Sequence, residues 1–336
     1  MNRLSFHSAV AALVVPAALA AATLTVAGAA PASASTASTP VVTDVHTVVA
    51  FDYAAGQQPE NVTINPDQSL TVSQLGFLNG QPPQLLRISP SGRQTVLVTA
   101  LAGEAIGGNA RGRDGSIYYN LLSSDPARSG IWRLPPGGAP QRIAAIPGAF
   151  LNGLTIDPAT QTLYSADSLA ATIWSVPASG GTPTKWLVSQ VFAPAQSGPG
   201  HFGINGVTFQ QGAVWASNTD KGTLLRVPVT RTGAPGSVQL VAGNLPGIDD
   251  FKFLSARSGI AFVALNRQDE LAVVYPGGRS RVVLTAADGL ASPSDTFISG
   301  TRLYITDGGD VAPHDSKVQE ARINLAALLS SIPLHS

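Results

Sequence analysis

Six polar residues, Glu60, Asn109, Asn152, Asn205, Asp249 and Ser294, recur along the 336-residue chain at intervals of 49, 43, 53, 44 and 45. Two are carboxylates and three are primary amides, so the set offers oxygen donors and neither thiol nor imidazole. Oxygen-only sites suit hard cations, Ca2+ first and Mg2+ second. Zn2+ would call for His or Cys. Glu60 and Asp249 together carry a formal −2, which matches a divalent ion. Taken singly, each position reads more simply as a turn, since Asn-Gly (152–153 and 205–206) is a frequent turn dipeptide and Asn or Asp bonds readily to local backbone. Five oxygen-bearing side chains at one repeat position favour a shared site over five unrelated turns.

The elements that would gather these residues are short strands. Apolar segments are β-branched or aromatic and bounded by Gly, Pro, Asn, Asp and Ser, as in Gly212-Ala-Val-Trp-Ala-Ser217 and Leu303-Tyr-Ile-Thr-Asp307. A helical period shows only over 321–329, where a strand is equally admissible. Two units superpose segment by segment. Leu151-Asn-Gly-Leu-Thr-Ile156, Thr162–Asp167 and Thr172–Val176 match Ile204-Asn-Gly-Val-Thr-Phe209, Ala213–Asn218 and Thr223–Val227. Thr184–Val188 and Ser237–Val241 supply a fourth strand to each. Weaker copies open at Pro59, Gly108, Ile248 and Pro293. A period in the forties with four strands per unit indicates propeller blades, with a β-helix or an open sandwich as competitors. The expected fold is all-β: a six-bladed β-propeller of four-stranded blades, closed by an N-terminal strand (about 41–52) pairing with the last blade. Closure of that kind also removes an exposed sheet edge. The first strand of each blade lines the axis, so the six polar residues converge on one mouth of the central tunnel.

Composition narrows the setting. Arg3, an apolar Ala/Val/Leu run to about residue 30 and Ala32-Ser33-Ala34 read as a secretory signal peptide over 1–34, cleaved after Ala34. Pro16, Thr23, Thr25 and Gly28 make the run a poor membrane span. Residues 35–336 then form a single secreted, extracellular domain with no membrane association after cleavage. With 20 basic and 20 acidic side chains and no basic run, there is no footprint for nucleic acid. Cysteine is absent, which rules out a lipid anchor through Cys and leaves stability to burial rather than disulfides. A monomer acting on a small molecule is expected. The formal glycosylation acceptor Asn61-Val62-Thr63 is weak evidence of anything.

Pro59-Glu60, Asn109 with Arg111-Gly-Arg-Asp-Gly115, and Asn152-Gly-Leu-Thr-Ile-Asp-Pro158 with Leu163-Tyr-Ser-Ala-Asp-Ser168 resemble the SMP-30/gluconolactonase family of six-bladed propellers. The likeness spans most of residues 55–310, the third blade matches best, and the paraoxonases are more distantly similar. The resemblance implies a catalytic divalent cation, often Ca2+, at the tunnel mouth, lactone or related ester hydrolysis, and Glu60, Asn109 and Asn152 as ligands. The chain departs from the family in having Asn205-Gly206 where Asp-Gly is usual, in lacking Asp-Gly after Asn109, and in placing Asp249-Asp250 one blade later, as in the paraoxonase arrangement. The cation would polarise the carbonyl while a base activates water. Asp249 or Asp250 is the first candidate base. His201 is the second, because it lies in the Gln190–Gly203 insertion that lengthens one interval to 53 and could overhang the same mouth. The rival reading is a non-catalytic extracellular propeller that binds a protein, glycan or small ligand, with the ring holding a structural ion. No Gly-x-Ser-x-Gly elbow or Walker-type phosphate loop is present, and no strand-to-helix unit carries a dinucleotide fingerprint.

Overall fold

Short β-branched segments punctuated by turn formers pair with their sequence neighbours, and the outcome is six antiparallel sheets of four strands each. The computed structural model describes residues 39–76 and 79–332; the leader expected over 1–34 and its cleavage point lie outside the described residues. The first blade runs through Pro59–Ile64, Leu70–Gln74, Gln84–Ile88 and Gln94–Thr99. The next four blades begin with Ala105–Arg111, Leu151–Asp157, Ile204–Gln210 and Ile248–Phe253. The sixth takes Pro293–Ser299, Arg302–Asp307 and Lys317–Ile323, and its outermost strand is Val42–Ala50 from the other end of the chain. That pairing is antiparallel, from Val42 opposite Ile323 to Ala50 opposite Lys317, and closes the ring as the sequence predicts. The ambiguous 321–329 stretch divides in two: the strand ends at Ile323, and Asn324 caps the short helix Leu325–Ser330 by accepting from Ala327 N at 3.1 Å.

Burial is concentrated between blades. Leu85 of blade 1 packs with Ile106, Tyr119 and Leu121 of blade 2, and Tyr118 and Ile131 of blade 2 pack with Leu151 and Leu163 of blade 3. Similar clusters fill the remaining interfaces. The last of these joins Tyr304 and Val318 of blade 6, with Val49 of the closing strand, to Val62, Val72 and Ile88 of blade 1. No helix among the described residues is long and apolar enough to cross a membrane.

A second repeated feature is local. Every inner strand carries a register shift near its start, at Pro59/Val62, Ile106/Asn109, Leu151/Leu154, Ile204/Val207, Ile248/Phe251 and Pro293/Asp295. A bulge frees one or two residues from the ladder and re-aims their side chains. Because all inner strands start at the same end of the ring, one face collects the connections 51–58, 189–203, 219–222, 266–269 and 308–316.

Polar residues closing several second strands hold this face together rather than reaching the axis. Asp167 Oδ1 accepts from Phe150 N and Ala170 N, both at 3.2 Å, and Asn218 donates to Val191 O and Ala193 O at 2.9 and 3.0 Å. Asp307 Oδ1 accepts from Ala291 N at 2.8 Å, but its Oδ2 is buried without a partner. Burial pushes the Asp307 carboxyl up to about 8.

Two outcomes follow from these features. Val49→Asp puts a charge into the blade 6–blade 1 core and is expected to lower unfolding free energy by more than about 2 kcal/mol in urea titration. Asp307 binds its proton more tightly folded than unfolded, so its contribution is intact in acid and is lost as pH rises from about 4 through about 8. Asp307→Asn removes that loss. The variant should melt close to wild type at pH 4 and roughly 5 °C or more above it at pH 9 by calorimetry.

Candidate functional site

The bulges decide which residues share the ring position. The pairing register aligns Pro59, Ile106, Leu151, Ile204, Ile248 and Pro293 as the last paired residues before the shift. The next residues are Glu60, Gly107, Asn152, Asn205, Asp249 and Ser294. Five of the six expected positions coincide, and in blade 2 the ring position belongs to Gly107. Asn109 stands two residues further along, with its amide in use: Oδ1 accepts from Thr63 Oγ1 at 2.7 Å and Nδ2 donates to Asn61 O at 3.0 Å. Spacing of the preceding apolar residues, 47, 45, 53, 44 and 45 from Pro59 to Pro293, carries the signal that would have aligned Gly107.

The ring is recessed. Glu60, Asn152, Asn205, Asp249 and Ser294 are all buried beneath the loops of the mouth face. Ser294 Oγ is committed to a tie between blades, donating to Pro59 O at 3.0 Å, and lies 2.9 Å from Thr306 Oγ1. The other four differ. Asn205 Nδ2 donates to Thr219 Oγ1 at 2.9 Å, which fixes the amide and leaves Oδ1 unpartnered. Asn152 Oδ1 and Asp249 Oδ1 are likewise buried with no hydrogen-bond partner. Orphaned buried acceptors are costly and call for an explanation. Among the described residues no trio of His, Asp and Glu gathers to hold a metal, so an ion at the mouth must draw on amide oxygens as well.

Below the ring the tunnel is narrow and plugged. Gly108 and Gly153 let neighbouring inner strands touch: a Cβ on Gly108 would meet Leu154 N at 2.3 Å, and one on Gly153 would meet Val207 N at 2.7 Å. Across the axis Asn61 Nδ2 donates to Asp250 Oδ2 at 3.1 Å. Asn61 is therefore buried in the tunnel and closed to a glycan. Lys252 Nζ lies 3.0 Å from Asp295 Oδ1 and 3.9 Å from Asp250 Oδ1, and Asp295 Oδ2 accepts from Val62 N at 3.0 Å. Asp250 thus faces the plug, whereas its neighbour Asp249 belongs to the ring. A cavity of about 240 Å³ opens beyond the plug, lined by Thr63, Asn109, Thr155, Thr208 and Lys252. A larger one of about 560 Å³ lies at the far ends of blades 1 and 2 and contains no ring residue.

Electrostatics follow from this crowding. Burial, and then the negative charges of Asp250, Asp310 and Asp295, hold the Glu60 carboxyl well above the usual carboxylate range. Asp249 is raised in the same way, by burial and then by Glu60 and the other acids. Asp250 is pushed up to about 7 by burial, against the pull of Lys252. Asp310, on the 308–316 loop, is a further carboxylate that the repeat could not disclose, because that loop lies outside the repeating strands. The charges that act on Glu60 and Asp249 are all negative.

The insertion lies on the same face. The carbonyl of Gly203 accepts from Thr219 N at 3.0 Å, Asp220 N donates to Phe202 O at 3.1 Å, and the Phe202 ring sits 5.3 Å from Phe150. His201 Nδ1 is 2.9 Å from Asp220 Oδ2.

No family model and no curated protein matches the sequence. Solved structures do match. A calcium-binding protein, regucalcin, from Agrobacterium tumefaciens is 19% identical with a TM-score of 0.61, covering 84% of this chain and 94% of its own. A protein described as a gluconolactonase is 15% identical with a TM-score of 0.62, covering 84% and 92%. An auxiliary nutrient binding protein from Bacteroides ovatus is 12% identical with a TM-score of 0.63, covering 84% and 77%. At these identities the likeness is one of architecture, and this chain is a six-bladed β-propeller similar in fold to gluconolactonase and regucalcin.

Proposed function

We propose that this protein is a secreted, divalent-cation-dependent hydrolase of a lactone or related ester. The observation that carries the reading is the set of unpartnered buried oxygens on Asn152, Asn205 and Asp249, in a ring that also holds Glu60. The donor chemistry fits Ca2+, with Mg2+ the less suited ion. A cation there would satisfy the three orphaned acceptors and offset the raised carboxyls of Glu60 and Asp249. Glu60, Asn152, Asn205 and Asp249 are the residues that would hold it, and Asn109, whose amide is engaged by Thr63 and Asn61, is left out of the proposed set.

When bound, the cation supplies Lewis-acid polarisation of an ester carbonyl. The chain's own residues do the rest. Thr219 orients the Asn205 amide. Asn61, Asp250, Lys252 and Asp295 fill the tunnel beneath the ring. A group at the mouth must take the proton of the attacking water, and Asp249 and His201 are the candidates there, while Asp250 is occupied in the plug. The protein is proposed to act as a monomer on a small molecule, without nucleic acid or membrane partners.

Similarity in fold to a nutrient-binding propeller supports the second reading, a non-catalytic binder using the same ring for a structural ion. Calcium titration and a lactone panel distinguish them. Calcium at about one hundred times its Kd should stabilise the protein by about 2.7 kcal/mol, and Glu60→Gln and Asn205→Leu should lose that stabilisation. Chelator should abolish hydrolysis of five- and six-membered lactones. Cation binding without turnover selects the binder, and a melting point indifferent to calcium and chelator rejects a cation at the ring altogether.

A further inference from the structure

The 189–203 connection ends over the strand that carries Asn205, and three blades contribute to how it is held. The backbone of Gly203 bonds to Ser168 and Thr219, and that of Phe202 bonds to Asp220. Asp220 comes from the mouth loop of blade 4, and Arg267 from that of blade 5. Arg267 donates from one terminal nitrogen to Gly200 O at 2.8 Å and to Asp220 Oδ1 at 3.0 Å. The second oxygen of Asp220 meets His201 Nδ1 at 2.9 Å. The Asp220 side chain is 2% exposed and that of His201 is 34%. A fully engaged, buried carboxylate therefore orients an imidazole at the rim, and Nε2 of that imidazole has no partner among the described residues.

An anchor for the insertion would be complete without the histidine, since Arg267 already bridges Gly200 and Asp220 and the backbone bonds fix Phe202 and Gly203. What His201 adds is a proton acceptor. A carboxylate on Nδ1 selects the Nδ1–H tautomer, so the lone pair is on Nε2. We propose that His201 is the general base of this mouth, with Asp220 and Arg267 as its positioning residues. The assignment rests on the hydrolase reading above and removes the need for Asp249 to serve as both ligand and base.

The step balances without a further reactant. Nε2 takes one proton from water as the water oxygen bonds to the carbonyl carbon of the lactone, and the carbonyl π pair moves onto its oxygen. When that pair returns, the acyl–oxygen bond of the lactone ring breaks and its electrons leave on the alkoxide. The imidazolium gives its proton back to that oxygen. One water is consumed, a hydroxy acid is released and His201 is again neutral.

The test uses the full chain loaded with calcium, and needs no variant for its first part. Two-bond proton–nitrogen correlation spectra of labelled protein should show His201 as the Nδ1–H tautomer, and Asp220→Asn should transfer the proton to Nε2. On a five- and a six-membered lactone, His201→Gln should lower kcat by about 100-fold or more with KM and calcium stoichiometry unchanged. Asp220→Asn should also lower kcat at constant KM, and Arg267→Gln should do so to a smaller extent. A wild-type Nε2–H tautomer, or a His201→Gln variant with unimpaired kcat, overturns the base role and leaves the hydrolase standing. Wild-type protein inert on both lactones overturns the hydrolase reading and the base role with it.

Discussion

A four-stranded blade is apolar on both faces and has no interior of its own, so each sheet is stable only when sandwiched between two others. That requirement shapes the rest of the molecule. Six blades satisfy it by closing into a ring, and closure depends on Val42–Ala50 completing the sixth sheet beside Lys317–Ile323. The same strand places Val49 in the core shared by blades 6 and 1. Packing at the other interfaces then fixes where the inner strands lie, and with them every residue near the axis.

Bringing six strand starts to one small volume concentrates charge. Glu60 and Asp249 feel the charges of Asp250, Asp295 and Asp310, and in the plug Lys252 offsets part of the charge of the two acids that face it. Truncating one member of a buried ion pair leaves an uncompensated charge, so the plug residues depend on one another. Above it the ring acids have no such counter-charge, and Asn152 and Asn205 each keep an unpartnered amide oxygen beside them. The contrast between a partly compensated plug and an uncompensated ring distinguishes the two levels of the tunnel.

Strand content, repeat and closure were legible because each depends on local pattern: β-branched runs, turn residues and a period near forty-five. The ring was legible in five blades and not in the second, where Gly107 has no side chain to notice and the polar Asn109 nearby draws the alignment two residues off. Asp220, Arg267, Asp310 and the Lys252–Asp295 pair left no signature, since their partners come from other blades at separations no local spacing encodes. Asp249 and Asp250 look interchangeable in sequence. Only the bulge separates them, turning one to the ring and the other to the plug.

The bulge at the head of each inner strand also bears on how such a molecule changes over generations. Residues released from the ladder carry no pairing duty, and here the same position holds Glu, Gly, Asn, Asn, Asp and Ser without disturbing the sheets. Mutation can sample chemistry at these six places while the interblade cores keep the fold. An architecture arranged in this way separates the residues that hold the fold from those whose chemistry is free to vary.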